Sequence, residues 1–68
     1  MSKQGEFLVY CLEMYKAAKN MTGKQTVALF KRYGVIDYVT SCYEALHTTG
    51  TKYIVEDIDL FVEARQQS

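Results

Sequence analysis

The sequence predicts an all-α protein, a compact bundle of four short helices at about residues 5–20, 23–33, 35–47 and 55–66. Three observations predict this fold class. Apolar residues recur at intervals of three and four along most of the chain, proline is absent, and glycine or capping residues stand where the periodic segments stop. Because the 68 residues contain no linker and no low-complexity segment, we expect one small helical domain over residues 1–68.

The first helix is predicted from apolar residues that fall on a wide face. Residues 1–4 are polar and are expected to fray, and the helix is expected to end near Asn20. Its main stripe is Phe7, Tyr10, Cys11, Met14, Ala17, Ala18 and Met21, and a second stripe is Leu8, Leu12 and Tyr15.

The second helix is bounded by two local signals. Thr22 and Gln25 have the spacing of a capping box, in which each side chain bonds the other residue's backbone amide. Gly34 is expected to end the helix, because glycine tolerates the left-handed conformation that commonly follows a helix. The residues expected to be buried are Val27, Phe30, Leu29 and Tyr33.

The rest of the chain is organised around the segment from Gly34 to Gly50, which predicts a central helix covered from more than one side. Its buried stripe, with spacings of four, three and four, is Val35, Val39, Cys42 and Leu46. Residues 52–55 favour extended backbone and are expected to form a short connector. The fourth helix then turns Ile58, Phe61, Val62 and Arg65 inward, and its acids Glu56, Asp57 and Asp59 lie near its start, where the helix dipole favours negative charge.

Composition restricts the classes of function. Eight basic and eight acidic residues give a net charge of zero, whereas proteins that bind nucleic acid generally carry a basic excess. Cys11 and Cys42 fall within helical patterns, and the short apolar run near the start is no signal peptide, so we expect a reduced, cytoplasmic chain. An apolar content of 49% in so small a domain favours association, either with another protein or with a second copy as a homo-oligomer.

The sequence offers no residue set for catalysis. The single histidine, His47, lies five residues after Cys42, about 140° around a helix, so the two do not share a face. No GxSxG, P-loop or GxGxxG motif occurs. We therefore expect no enzyme activity, no cofactor and no metal, and we expect His47 to anchor a helix end.

Two surfaces are candidates for binding. Tyrosine buries a ring while its hydroxyl stays in water, which suits an interface, and carboxylates on one helix face suit a basic partner. The predicted partner-binding residues are Tyr38, Tyr43, Glu56, Asp59 and Glu63. The two tyrosines are about 140° apart around the central helix, so one core is not expected to cover both.

The alternative is a small nucleic-acid-binding regulator that uses a helix-turn-helix-like pair and the basic residues Lys24, Lys31 and Arg32. The central helix, which would contact the bases, has a composition that disfavours DNA binding. Its exposed positions are Asp37, Thr40, Ser41 and Glu44, which include two acids and no basic or amide side chain.

The segments FLVYCLEMYKAAKNMTGKQTVALF, GVIDYVTSCYEALHTTG and YIVEDIDLFVEAR together resemble a family of short bacterial proteins catalogued as a domain of unknown function. The likeness spans about Glu6 to Arg65. The most distinctive pieces are the segments 43–47 and 53–58. The resemblance implies no activity. It does imply that members are often encoded beside ADP-ribosyltransferase-type enzymes, which suggests an accessory or antitoxin-like partner of another protein.

Overall fold

In the computed structural model, which describes residues 2–67, the chain forms five α-helices packed into one bundle. They are α1 (Lys3–Lys19), α2 (Gly23–Tyr33), α3 (Val35–Ser41), α4 (Tyr43–Leu46) and α5 (Thr51–Gln66). The described part of the chain contains no strand. The predicted all-α fold class is confirmed, and the boundaries of α2 are those predicted.

The core lies around α3, which packs against α1, α2 and α5 as the central position of its segment predicts. Val35 and Val39 of α3 have no exposed surface. Every helix contributes to the buried apolar cluster, which is formed by Phe7, Cys11, Tyr15, Phe30, Val35, Val39, Leu46, Ile54, Ile58 and Val62. Burial of this cluster is the main stabilising term that a domain of this size has available.

Three predicted boundaries are confirmed by their backbone chemistry. Thr22 Oγ1 accepts from the Gln25 amide at 3.1 Å, and Gln25 Oε1 accepts from the Thr22 amide at 3.0 Å, so the capping box is complete. Gly34 ends α2 with φ of +72°, in the left-handed region that glycine enters without steric cost. Asn20 ends α1 with φ of +54°.

The single central helix predicted over residues 35–47 is wrong, because the chain breaks at Cys42 into α3 and α4. The backbone of Cys42 has φ of −98° and ψ of +17°, outside the helical geometry of its neighbours. On either side of the break, Tyr38 packs on Phe61 of α5 and Tyr43 packs on Phe7 of α1. One core therefore borders both tyrosines, contrary to the expectation from an unbroken helix.

The extended connector predicted at residues 52–55 is also wrong, because α5 begins at Thr51. Gly50 caps the helix with extended backbone, and its carbonyl accepts from the Ile54 amide at 3.1 Å. Helix formation places Ile54 in the core, so burial outweighs the extended preference of this segment. The acids Glu56 and Asp59 consequently lie beyond the first turn, where the dipole argument made for them does not apply.

Smaller differences concern the ends and faces of the helices. The first helix begins at Lys3, because Ser2 Oγ accepts from the Gly5 amide at 3.1 Å and caps it. In α2 the buried partner of Phe30 is Thr26 rather than Val27, and the Thr26 hydroxyl donates to the Thr22 carbonyl at 2.9 Å. Within residues 2–67, none of the helices has the length and apolar character required to cross a bilayer.

Candidate interaction surfaces

The outward side of α5 carries two large apolar side chains that the bundle does not cover. Leu60 is 65% exposed and Tyr53 is 57% exposed. Their spacing of seven positions corresponds to about two turns, so both side chains point the same way. Glu56 and Glu63 are exposed beside them. We call these four residues, Tyr53, Glu56, Leu60 and Glu63, the outer α5 face.

The opposite side of α5 packs against the core. Ile54, Ile58 and Val62 recur every fourth residue and are buried. At about 100° per residue they lie roughly 120–200° around the helix from Leu60. The outer α5 face is therefore an apolar centre with acidic neighbours, directed away from the bundle. Of the predicted partner-binding residues, Glu56 and Glu63 belong to it.

Asp59 is held by contacts within the bundle. Its carboxylate accepts from the Tyr15 hydroxyl at 2.7 Å and from Lys19 Nζ at 3.0 Å, so it joins α5 to α1. Tyr15 is 3% exposed. Burial, then the hydrogen bond to Asp59, and then the charges of Asp59 and Glu63 raise the pKa of Tyr15 well above its ordinary value. Asp59 thus differs from Glu56 and Glu63 in having a structural role.

Tyr38 is half-buried and also makes its contacts within the bundle. Its ring stacks on Phe61, with centroids 4.1 Å apart, and its hydroxyl donates to Asp57 Oδ2 at 2.5 Å. That hydrogen bond, followed by burial, raises the pKa of Tyr38 well above its ordinary value. A partner contact by Tyr38 stays a prediction, and it would add to a side chain that already fixes α3 against α5.

Tyr43 occupies the corresponding position between α4 and α1. Its ring meets Phe7 edge to face at 5.5 Å and stacks on the His47 ring at 4.4 Å. His47 Nδ1 donates to the Tyr43 carbonyl at 2.7 Å, so the imidazole anchors the end of α4 as expected. A partner contact by Tyr43 likewise remains a prediction.

A shallow basic groove crosses the corner between α2 and α3. It consists of two adjoining depressions, with volumes of about 320 and 510 Å³, that share Gly34 and Arg65. Lys31, Arg32 and Arg65 are its cationic lining residues, and Asp37 is its acidic one. We call it the Gly34 groove.

Aromatic rings support two of these cations. The Arg65 guanidinium lies over the Phe61 ring at 4.7 Å, and the Arg32 guanidinium lies over Tyr33 at 5.5 Å. A third depression continues from Arg32 and Tyr33 onto apolar side chains of Met21, Ala28 and Leu29. The groove therefore combines positive charge with adjacent apolar surface.

The three basic residues predicted for nucleic-acid binding do not lie together in the structure. Lys31 and Arg32 line the Gly34 groove, whereas Lys24 lies two turns earlier on α2 and is not among the lining residues. The helix that would enter a groove of DNA is α3, which has seven residues and carries Asp37 in its first turn. The nucleic-acid role remains a prediction that rests on the two lining residues.

Other reactive groups lie outside these surfaces. Cys11 and Cys42 are free thiols, and burial raises the pKa of the Cys11 thiol to about 11. Residues 2–67 contain no cluster of three or more His, Cys, Asp or Glu side chains placed to hold a metal ion.

Comparison with known proteins gives one family. A family model described as "Protein of unknown function (DUF3791)" matches residues 6–65. The chain therefore belongs to this family of uncharacterised proteins, as the resemblance indicated. No curated protein and no solved structure matches the chain. The family supplies no activity, so function has to be argued from the surfaces themselves.

Sequence reasoning missed Tyr53 and Leu60 as candidates for binding. Tyr53 falls in the predicted connector, and Leu60 lies outside the predicted inner face of the fourth helix. The signal was present, since an apolar pair at a spacing of seven, flanked by acids and opposite a buried stripe, marks an uncovered helix face.

Proposed function

We propose that this protein is a non-enzymatic interaction module that docks on another protein through the outer α5 face. The observation that carries the proposal is the exposure of Leu60 and Tyr53 on one face of α5, in a chain whose other large apolar residues are mostly buried or half-buried. Aromatic side chains such as tyrosine carry much of the binding energy at the centre of a contact, burial of a large aliphatic side chain adds to it, and charged neighbours set specificity.

The chemistry of the face defines the partner. Glu56 and Glu63 lie about 40–60° around the helix from Leu60, on one side of the apolar pair, so a matching surface is apolar with a basic border. Helix-in-groove recognition uses this arrangement, in which residues at spacings of three, four and seven enter a groove of the partner.

The role that fits such a module is that of an accessory or antitoxin-like subunit. The family resemblance implies a neighbourhood of ADP-ribosyltransferase-type enzymes, so an enzyme of that class is the first partner to test. The free thiols of Cys11 and Cys42 support a reducing, cytoplasmic setting for this role.

Affinity capture from the source cells tests the proposal with three immobilised baits. Leu60→Gln removes the apolar centre while keeping good helix propensity, and the wild-type chain is the reference. Val9→Gln is the matched control, because Val9 is 47% exposed and lies on α1, a different helix from the outer α5 face. A supporting result is a stoichiometric protein that wild type and Val9→Gln retain and Leu60→Gln loses.

The captured protein is then purified and titrated against Glu56→Lys/Glu63→Lys. We expect at least about a tenfold loss of affinity, because charge reversal at the edge of an interface opposes a basic partner. Equal binding by all the variants would refute docking through this face.

A further inference from the structure

The Gly34 groove has the chemistry that the outer α5 face requires. Its lining includes Lys31, Arg32 and Arg65 with a single acid, Asp37, and an apolar depression adjoins it at Tyr33. The outer α5 face presents the opposite sign, with two glutamates along one side of an apolar pair. In a chain of zero net charge, these are two oppositely charged surfaces on one small molecule.

We propose that the outer α5 face of one copy docks in the Gly34 groove of a second copy, so the chain self-associates head to tail. This inference rests on the proposed function, because it names a partner surface for the same face. Glu56 and Glu63 would lie against Lys31 and Arg32, while Leu60 would cover the apolar surface beside them. The outer α5 face and the Gly34 groove are complementary in charge and polarity, which favours contact between two copies of the chain.

A nucleic acid fits the groove less well than a second copy does. The Phe61 ring stacks on Tyr38 and also carries the Arg65 guanidinium, so it offers no open face on which a base could stack. Asp37 lines one depression of the groove with Arg65 and opposes a continuous row of phosphates along it. Glu56 and Glu63 of a second copy would instead meet Lys31 and Arg32, which line the depression that does not include Asp37.

The placement of the two surfaces predicts an open assembly rather than a closed dimer. Arg65, on the groove side of α5, lies about 140° around the helix from Leu60. A contact between two different surfaces leaves one of each free at the ends, so copies continue to add. The contact is also small, because one helix face in a shallow groove falls in the range of weak, transient interfaces below about 1,200 Å².

Sedimentation equilibrium of the purified chain over a wide concentration range at low salt tests the proposal. The expected result is an average mass that keeps rising with concentration and falls when salt is added. Lys31→Glu/Arg32→Glu and Glu56→Lys/Glu63→Lys should each weaken association at least about tenfold. The variant that carries all four changes keeps the wild-type net charge and should recover association, because both surfaces exchange sign.

Lys3→Glu/Lys16→Glu is the matched control for net charge. It makes the same charge change as Lys31→Glu/Arg32→Glu, and neither residue lines the described grooves. It should associate more strongly than the groove variant. Circular dichroism confirms that each variant stays folded.

Several outcomes would overturn the inference. They are a wild-type chain that stays monomeric throughout, a mass that stops at the dimer, and failure of the four-change variant to associate. Tight binding of a labelled single-stranded oligonucleotide, lost in Lys31→Glu/Arg32→Glu, would assign the groove to nucleic acid instead. A monomeric chain whose captured partner still depends on Leu60 would remove this inference and leave the proposed function standing.

Discussion

Replacing Asp59 with alanine should destabilise the bundle, although Asp59 is partly exposed. The substitution leaves the buried Tyr15 hydroxyl without its acceptor, which costs about 1–3 kcal/mol. It also removes the half-exposed ion pair with Lys19, worth at most about 1 kcal/mol. The expected loss is therefore about 2–3 kcal/mol, a large part of the roughly 3–10 kcal/mol that a chain of this length has.

Urea unfolding followed by far-ultraviolet circular dichroism measures this loss. Glu56→Ala is the matched control, since it removes a carboxylate from the same helix where the structure shows no such contact, and it should change stability by less than about 0.5 kcal/mol. Tyr15→Phe should cost about 1 kcal/mol, because it deletes the donor and leaves Asp59 in contact with water and Lys19. The double variant Tyr15→Phe/Asp59→Ala should lose less stability than the sum of the losses in the two single variants. Equal stability of Asp59→Ala and Glu56→Ala would refute the structural role of Asp59.

Three further predictions concern single positions. Burial raises the pKa of the Cys11 thiol to about 11 in the folded chain, against 9.0 for an ordinary thiol, so the unfolded chain loses this proton first as the pH rises. The free energy of unfolding should therefore fall by about 2–3 kcal/mol between about pH 9 and 11. A urea midpoint that is flat over this range would contradict this prediction. Gly34→Ala should lower stability by about 1–2 kcal/mol in thermal melts, because alanine is strained at φ of +72°, and an unchanged or higher midpoint would count against that conformation. Thr22→Ala should cost about 1 kcal/mol in urea unfolding by removing the cap of α2, whereas Thr48→Ala, outside any helix, should have a smaller effect.

The parts of the fold that were predictable from sequence are those encoded within a few residues. The reciprocal bonds of Thr22 and Gln25 need only their spacing of three, and Gly34 ends α2 through its own freedom at positive φ. The start of α5 at Thr51 is different, because packing between distant segments decides it, and the spacing of the apolar residues does not reveal the break at Cys42. Ile54 has a local preference for extended structure and becomes helical because helix formation buries it.

The candidate site shows the same limit. Helical spacing places Glu56, Asp59 and Glu63 close together, and the sequence treats them as equivalent. Only the approach of α1 separates them, because Tyr15 and Lys19 lie 44 and 40 positions away in the chain and bind Asp59 alone. Exposure of Leu60 was in principle predictable from its position opposite the buried stripe of α5.

Tyr38 makes contacts that residue spacing does not reveal. Its position beside the buried stripe predicts an interface residue, which stays a prediction, but spacing does not show that Phe61 and Asp57 of α5 face it. The contact fixes α3 against α5.

The central claim is that the outer α5 face is a recognition surface, and amide NMR of the isotope-labelled chain tests it most directly. Spectra recorded on dilution from about 1 mM, a concentration that populates weak contacts, would map the surfaces that associate. The account predicts concentration-dependent shifts around Tyr53 and Leu60, matched by shifts around Lys31 and Arg32. Spectra that do not change, or shifts confined to the exposed side of α1 around Val9, would contradict contact between copies of the chain through the outer α5 face. If the spectra do not change, adding the captured partner decides whether the same face binds a different protein.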